Sequence, residues 1–179
     1  MKVMLKDVRI SFPDLFEAKS FDGNQDPKYG AQFLIEKEGD NYDAVVKAMK
    51  AVAKDAWKDK ADKALANLNK TGKTCLNDGD EKDYDGYADM YYISARSKSR
   101  PTVIDKDKTP LTKDDGKPYS GCYVNAAIDI WAQDNNFGKR VNATLRGVQF
   151  FKDGDPFSGS SEASADEFDV FESDDDLDF

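Results

Sequence analysis

Histidine is absent from the 179-residue chain, cysteine occurs only twice, and no apolar run approaches the ~18 residues of a membrane span. Each shortage removes a class of function. Without His there is no Ser-His or Cys-His dyad and no His-ligated metal. Cys75 and Cys122 are far apart and unaccompanied, which excludes a zinc knuckle. In a chain that reads as cytosolic, they also argue against a disulfide. The opening Met1-Lys2-Val3-Met4-Leu5-Lys6 lacks the apolar centre of an export signal, so a cytoplasmic location is expected. A Gly-rich phosphate loop is also missing: Gly72-Lys73-Thr74 has Leu68 where the motif needs an earlier Gly, and Gly72 reads as a helix stop. No cofactor is expected.

Positive charge runs out before the end of the chain. Residues 153–179 hold no Lys or Arg and eleven of the 35 acids, which leaves residues 1–152 with 26 basic and 24 acidic side chains, a balance of +2. An acidic tail on a near-neutral body is the asymmetry of an interaction tail. From Gly154-Asp155-Pro156 through Ser158-Gly159-Ser160-Ser161 its composition cannot bury enough apolar surface to fold, so 153–179 is expected to be disordered. Phe157, Phe168, Phe171 and Phe179 interrupt it. A tail serving solubility alone has little use for four aromatics, whereas a docking peptide uses them as anchors.

In the body, period-two alternation predicts a strand over 2–12, with Met4, Val8, Ile10 and Phe12 on one side and Lys6 as an imperfection. A second strand is expected over 29–36, with Tyr29, Ala31, Phe33 and Ile35 on one face. Asp40 or Asn41 can cap a helix over about 41–68, whose stripe includes Val45, Met49, Ala53 and the packing residue Trp57. A third strand covers 87–95, and 96–118 is a basic loop. Strands 121–132 and 140–151 flank a hairpin loop at 134–139. Five strands with an inserted helix, mainly β, suit a small barrel over residues 1–152. The oligonucleotide-binding (OB) fold is the commonest such barrel, with a sandwich as the alternative.

The last hairpin is the most informative segment. Cys122, Val124, Ala126, Ile128 and Ile130 point to the core, leaving Tyr123, Asn125, Asp129 and Trp131 outside. Val141, Ala143 and Leu145 likewise leave Arg140, Asn142, Thr144 and Arg146 outside, with Phe137 and Lys139 near the loop tip. Aromatic rings for base faces beside Arg and Lys for phosphates are the ingredients of a single-stranded nucleic-acid platform. Tyr92, Arg96 and Lys98 share a parity that adds them to this face, with Tyr91 and Ile93 inward, and Arg100 follows in the basic loop. Coverage by the helix or a loop would instead make Trp131 part of a second small core.

These residues bring the chain to a known group. It resembles bacteriophage single-stranded DNA-binding proteins of OB fold, formerly catalogued as a domain of unknown function. The resemblance rests on Tyr29-Gly30-Ala31-Gln32-Phe33-Leu34-Ile35, Arg100-Pro101-Thr102-Val103-Ile104-Asp105, Ser120-Gly121-Cys122-Tyr123-Val124-Asn125 and the stretch from Gly138 to Phe150. It implies sequence-independent binding of single-stranded DNA in phage replication or recombination, in the host bacterial cytoplasm. The end, Asp174-Asp175-Asp176-Leu177-Asp178-Phe179, is similar to the acidic tip of bacterial single-stranded DNA-binding proteins, typically Asp-Asp-Asp-Ile-Pro-Phe, with Leu177 for Ile and Asp178 for Pro. That second resemblance implies recruitment of replication and recombination proteins through Asp174, Asp175, Asp176, Leu177 and Phe179. Two rivals accompany this reading: a protein-interaction or DNA-mimic module that binds no nucleic acid, and a Mg²⁺-dependent nuclease built on Asp78, Asp80, Glu81, Asp83 and Asp85. No membrane partner is expected, and the sequence leaves self-association open.

Overall fold

The computed structural model describes residues 1–20, 26–157 and 169–171. Five long strands form the body: β1 (Lys2–Lys19), β2 (Lys28–Glu36), β4 (Met90–Ser97), β6 (Tyr123–Asn135) and β7 (Gly138–Lys152). Two short strands, β3 (Leu76–Asp78) and β5 (Thr102–Ile104), add to its edges. The order is β4-β2-β1-β6-β7, and a parallel contact between Arg96 and Thr144 joins β7 back to β4, closing a five-stranded barrel. The expected barrel is therefore present, and the sandwich is not.

Alternation explains the barrel interior where it is unbroken. Cys122, Val124, Ala126, Ile128 and Ile130 are all buried, as are Ala31, Phe33 and Ile35. In β1 the simple alternation fails. The β1–β6 register shifts between Leu5 and Val8, where Asp7 has φ 54°, so Val3 and Leu5 precede Val8 and Ile10 in the core. Met4 and Phe12 are about half exposed, contrary to the even-spaced expectation, because a bulge flips the faces. Arg146 occupies a similar shift in β7.

The helical insertion is present but broken. α1 (Asp40–Trp57) ends at Lys58, whose φ of 54° turns the chain through a single 3-10 turn into α2 (Ala61–Lys70). Val45, Ala48, Met49, Ala53 and Trp57 join the main core, so the helix covers the barrel interior rather than its outer face. Lys73 N donates to Leu68 O past the helix end, with Gly72 at φ 71°, the stop read from the sequence.

Past Lys152 the chain is still held. Tyr119 Oη donates to Asp153 Oδ1 at 2.7 Å, Arg9 Nη2 donates to Asp155 O at 2.6 Å, and Phe157 N donates to Ser120 O at 3.2 Å. Gly121, at φ 105°, lets this strap pass: a Cβ there would lie 2.3 Å from Asp155 O. Phe157 is buried with Leu34, Tyr87 and Tyr92, and the Arg9 guanidinium sits 4.2 Å from its ring centroid. Phe157 is thus a packing residue of the body. Phe171 is exposed, whereas Phe168, Asp174, Asp175, Asp176, Leu177 and Phe179 lie outside the described residues. No described helix is long and apolar enough to cross a membrane.

Candidate nucleic-acid interface

Trp131 is the eighth residue after Tyr123 on the outer parity of β6, paired with Asn142 of β7. The residue remains 41% exposed, and its Nε1 donates to Thr144 Oγ1 at 3.0 Å. That bond ties the indole to β7 while the residue as a whole stays exposed. Beside it, Asn142 Nδ2 donates to Gln133 Oε1 at 2.9 Å, fixing two neighbouring amides. The alternative of a covered Trp131 in a second small core does not occur. A second core does exist, but Phe157 and Tyr87 build it elsewhere.

The β4–β7 contact converts this wall into a trough of about 700 Å³. Trp131, Gln133, Asn142 and Thr144 form one side; Ser94, Arg96, Ser97 and Lys98 form the other, with Thr74 and Cys75 on its floor. Arg140 and Lys28 complete the charge. Four cations therefore line the trough, and no carboxylate does so among the described residues. In a body whose charges nearly cancel, that segregation is the electrostatic signature of an anion path. A planar aromatic beside it supplies a stacking surface.

The sequence-predicted residues divide between this trough and other places. Trp131, Arg96, Lys98 and Arg140 come together in it. Tyr123 shares their barrel wall but lies roughly 26 Å along the strand from Trp131 at ~3.3 Å per residue. There Lys152 Nζ is 4.7 Å and the Arg9 guanidinium 5.7 Å from its ring centroid. Tyr92 is buried under Phe157 and Tyr87 rather than offered to a ligand. Arg100 lies over Phe16 and Lys139 over Trp57, whose Nε1 donates to Asp134 Oδ2. Phe137 is 91% exposed at the hairpin tip, and Arg146 is exposed at the β7 bulge, both outside the trough lining. Sequence reasoning missed Lys28, which β2–β4 pairing brings beside Ser97, and it left Asn142 and Thr144 as mere outward positions.

The acidic loop of the nuclease alternative is internally tied. Lys37 Nζ lies 2.7 Å from Asp80 and 3.1 Å from Asp78, while Asp80 Oδ1 accepts the Asp89 backbone N–H. The hydrogen bond from Lys37 holds the Asp80 carboxyl below its usual range. Both cysteines are free and buried, and burial pushes the Cys75 thiol up to about 12 and the Cys122 thiol up to about 11. Thiolate is the reactive form, so native protein at pH 8 should resist alkylation by iodoacetamide and react only after unfolding. Mass spectrometry of quenched time points checks this; rapid native modification of either Cys would show that it opens.

Comparison with known proteins gives the same direction. "Putative protein p50" of Acyrthosiphon pisum secondary endosymbiont phage 1 is 49% identical over 172 residues, spanning 94% of this chain and 93% of that protein. The single-stranded DNA-binding protein from bacteriophage Enc34, as a C-terminal truncation, is 28% identical with a TM-score of 0.66, covering 87% of this chain and 88% of its own. The same phage protein in complex with single-stranded DNA is 27% identical with a TM-score of 0.64, over the same shares. The bacteriophage T7 single-stranded DNA-binding protein gp2.5 shares the fold, with a TM-score of 0.59 at 11% identity over 95% of this chain and 98% of its own. The sequence also matches the profile of the Enterobacter phage Enc34 ssDNA-binding protein over residues 1–179, and the chain belongs to that family.

Proposed function

We propose that this chain binds single-stranded DNA without sequence preference in the trough beneath Trp131, and that it protects such DNA during phage replication or recombination in the host cytoplasm. The observation that carries this reading is one exposed indole set among Lys28, Arg96, Lys98 and Arg140. A relative solved with single-stranded DNA supports it. The trough has polar and aromatic groups for any base, with charges for the backbone. No catalytic role is proposed.

Residues 158–179 complete the reading as a partner-recruiting tail, with Asp174, Asp175, Asp176, Leu177 and Phe179 as its docking tip. Tethered to the body, this acidic segment competes with DNA for the same cations at high effective concentration. Fluorescence anisotropy with a labelled dT oligonucleotide and a matched duplex tests both parts. The truncation should end at Phe157 rather than at Lys152, since Phe157 packs in the body. Single strands should bind more tightly than duplex, and the 1–157 chain more tightly than the full chain at low salt. Equal or weaker binding by the truncation removes tail competition; no binding by either chain removes the DNA reading and favours a protein-interaction module. With four lining cations as phosphate contacts, log K should fall against log salt with a slope of about −2.8. A much steeper slope would place additional cations on the path.

A further inference from the structure

The Trp131 trough does not end at β4. Ser94 and Arg96 also border a second depression, on the other side of that strand, which reaches Gly30 and Gln32 of β2 and then Phe12 of β1. Beyond Phe12 stands Tyr84, 48% exposed, its ring centroid 5.1 Å from that of Phe12 in an edge arrangement. Gly30 keeps the passage low: a Cβ there would lie 3.1 Å from Ala95 O and 3.2 Å from Arg96 Cγ. The two depressions thus share Arg96 as their common border.

Phe12 is held outward at a cost in conformation. Its φ is 49°, a region that a bulky side chain seldom occupies, and it is half exposed. The β1–β2 register shifts between Ser11 and Asp14, so Phe12 and Pro13 form an irregularity that turns the aromatic ring away from the core. Backbone strain of this kind clusters at binding sites. The neighbouring Asp14 is paired with Lys19 at 3.1 Å, and its acidity fits this end for a base face rather than a phosphate.

From this geometry we infer that Phe12 and Tyr84 form a second base-stacking station, and that one DNA strand runs crosswise over the barrel from Trp131, past Arg96, to Phe12. The inference rests on the DNA-binding reading of the Trp131 trough. It assigns that strand's direction of travel across β6, β7, β4, β2 and β1, whose outward positions line the two depressions in turn. Arg96 lies between the stations, where it can neutralise the intervening backbone.

The test is a length series of dT oligonucleotides, from about 4 to 16 nucleotides, titrated against the 1–157 chain and its variants. Phe12→Asn removes the ring while tolerating the left-handed backbone, so its melting temperature should not fall far. It should bind the shortest oligonucleotides like the parent and the longer ones about 5- to 150-fold more weakly, the loss expected for one stacked base. Phe12→Tyr should restore long-strand affinity, and Tyr84→Ala should reproduce the length-dependent loss. Trp131→Ala should weaken binding at every length, which separates the two stations. If Trp131→Ala weakens binding while Phe12→Asn changes nothing at any length, the second station is wrong and the first survives. Failure of the parent to bind any oligonucleotide overturns both. An effect of Phe12→Asn confined to the full chain, absent from residues 1–157, would overturn the inference in favour of an aromatic site for the chain's own tail.

Discussion

Replacing Trp131 with alanine is expected to weaken single-stranded DNA binding by roughly 5- to 150-fold, the ~1–3 kcal/mol of one lost base stack. The residue is 41% exposed, and its indole donates a hydrogen bond to Thr144, so its removal should cost the fold little. Trp131→Phe should retain most of the affinity, because a ring remains although the bond to Thr144 Oγ1 is lost. The salt slope separates stacking from charge. Trp131→Ala should shift the line of log K against log salt downward at unchanged slope, whereas Arg96→Ala or Arg140→Ala should flatten it by about 0.7 each. An unaltered affinity in Trp131→Ala would remove the indole from the interface, whatever the trough's charge.

The largest effect on stability is expected from Phe157→Ala. Deleting a buried Phe ring costs roughly 3–5 kcal/mol, which for a body of this size corresponds to about 6–20 °C in melting temperature. The ring fills the space between Leu34, Tyr87, Tyr92 and the Arg9 guanidinium, and the backbone of the strap is bonded at Ser120 and to Arg9. Thermal unfolding of Phe157→Ala and of a 1–152 truncation should show similar losses. If both melt within a degree or two of the 1–157 chain, the strap contributes nothing to the body. The strap also places the start of the acidic tail beside Tyr87 and Tyr92, the former 5.2 Å by ring centroid from Tyr84.

The readable part of the molecule was the part whose alternation is unbroken. In β6 each second residue from Val124 to Ile130 is buried, so parity alone places Trp131 outside. β1 hid its faces because bulges at Asp7 and Phe12 change parity twice within one strand, and Phe12 read as core for that reason. Parity correctly turns Tyr92 away from the barrel interior, since Ile93 and Ala95 face the core. What covers it is Phe157, 65 positions further along, and no local pattern reports such a partner. Lys28 entered the trough through the pairing of Tyr29 with Ser97, an equally non-local event. The helix break at Lys58 carries no Gly or Pro to announce it, and β3 and β5 are three residues each, too short for a period.

Photocross-linking would read the path of the DNA over the barrel. A dT oligonucleotide carrying 5-iodouracil would be irradiated with the 1–157 chain, and the adducts mapped by mass spectrometry. Adducts are expected at Trp131, lost in Trp131→Ala and suppressed by unlabelled single strands but not by duplex. Adducts confined to Tyr123 or Phe137, or none at all under saturating binding, would contradict the trough as the path of the DNA.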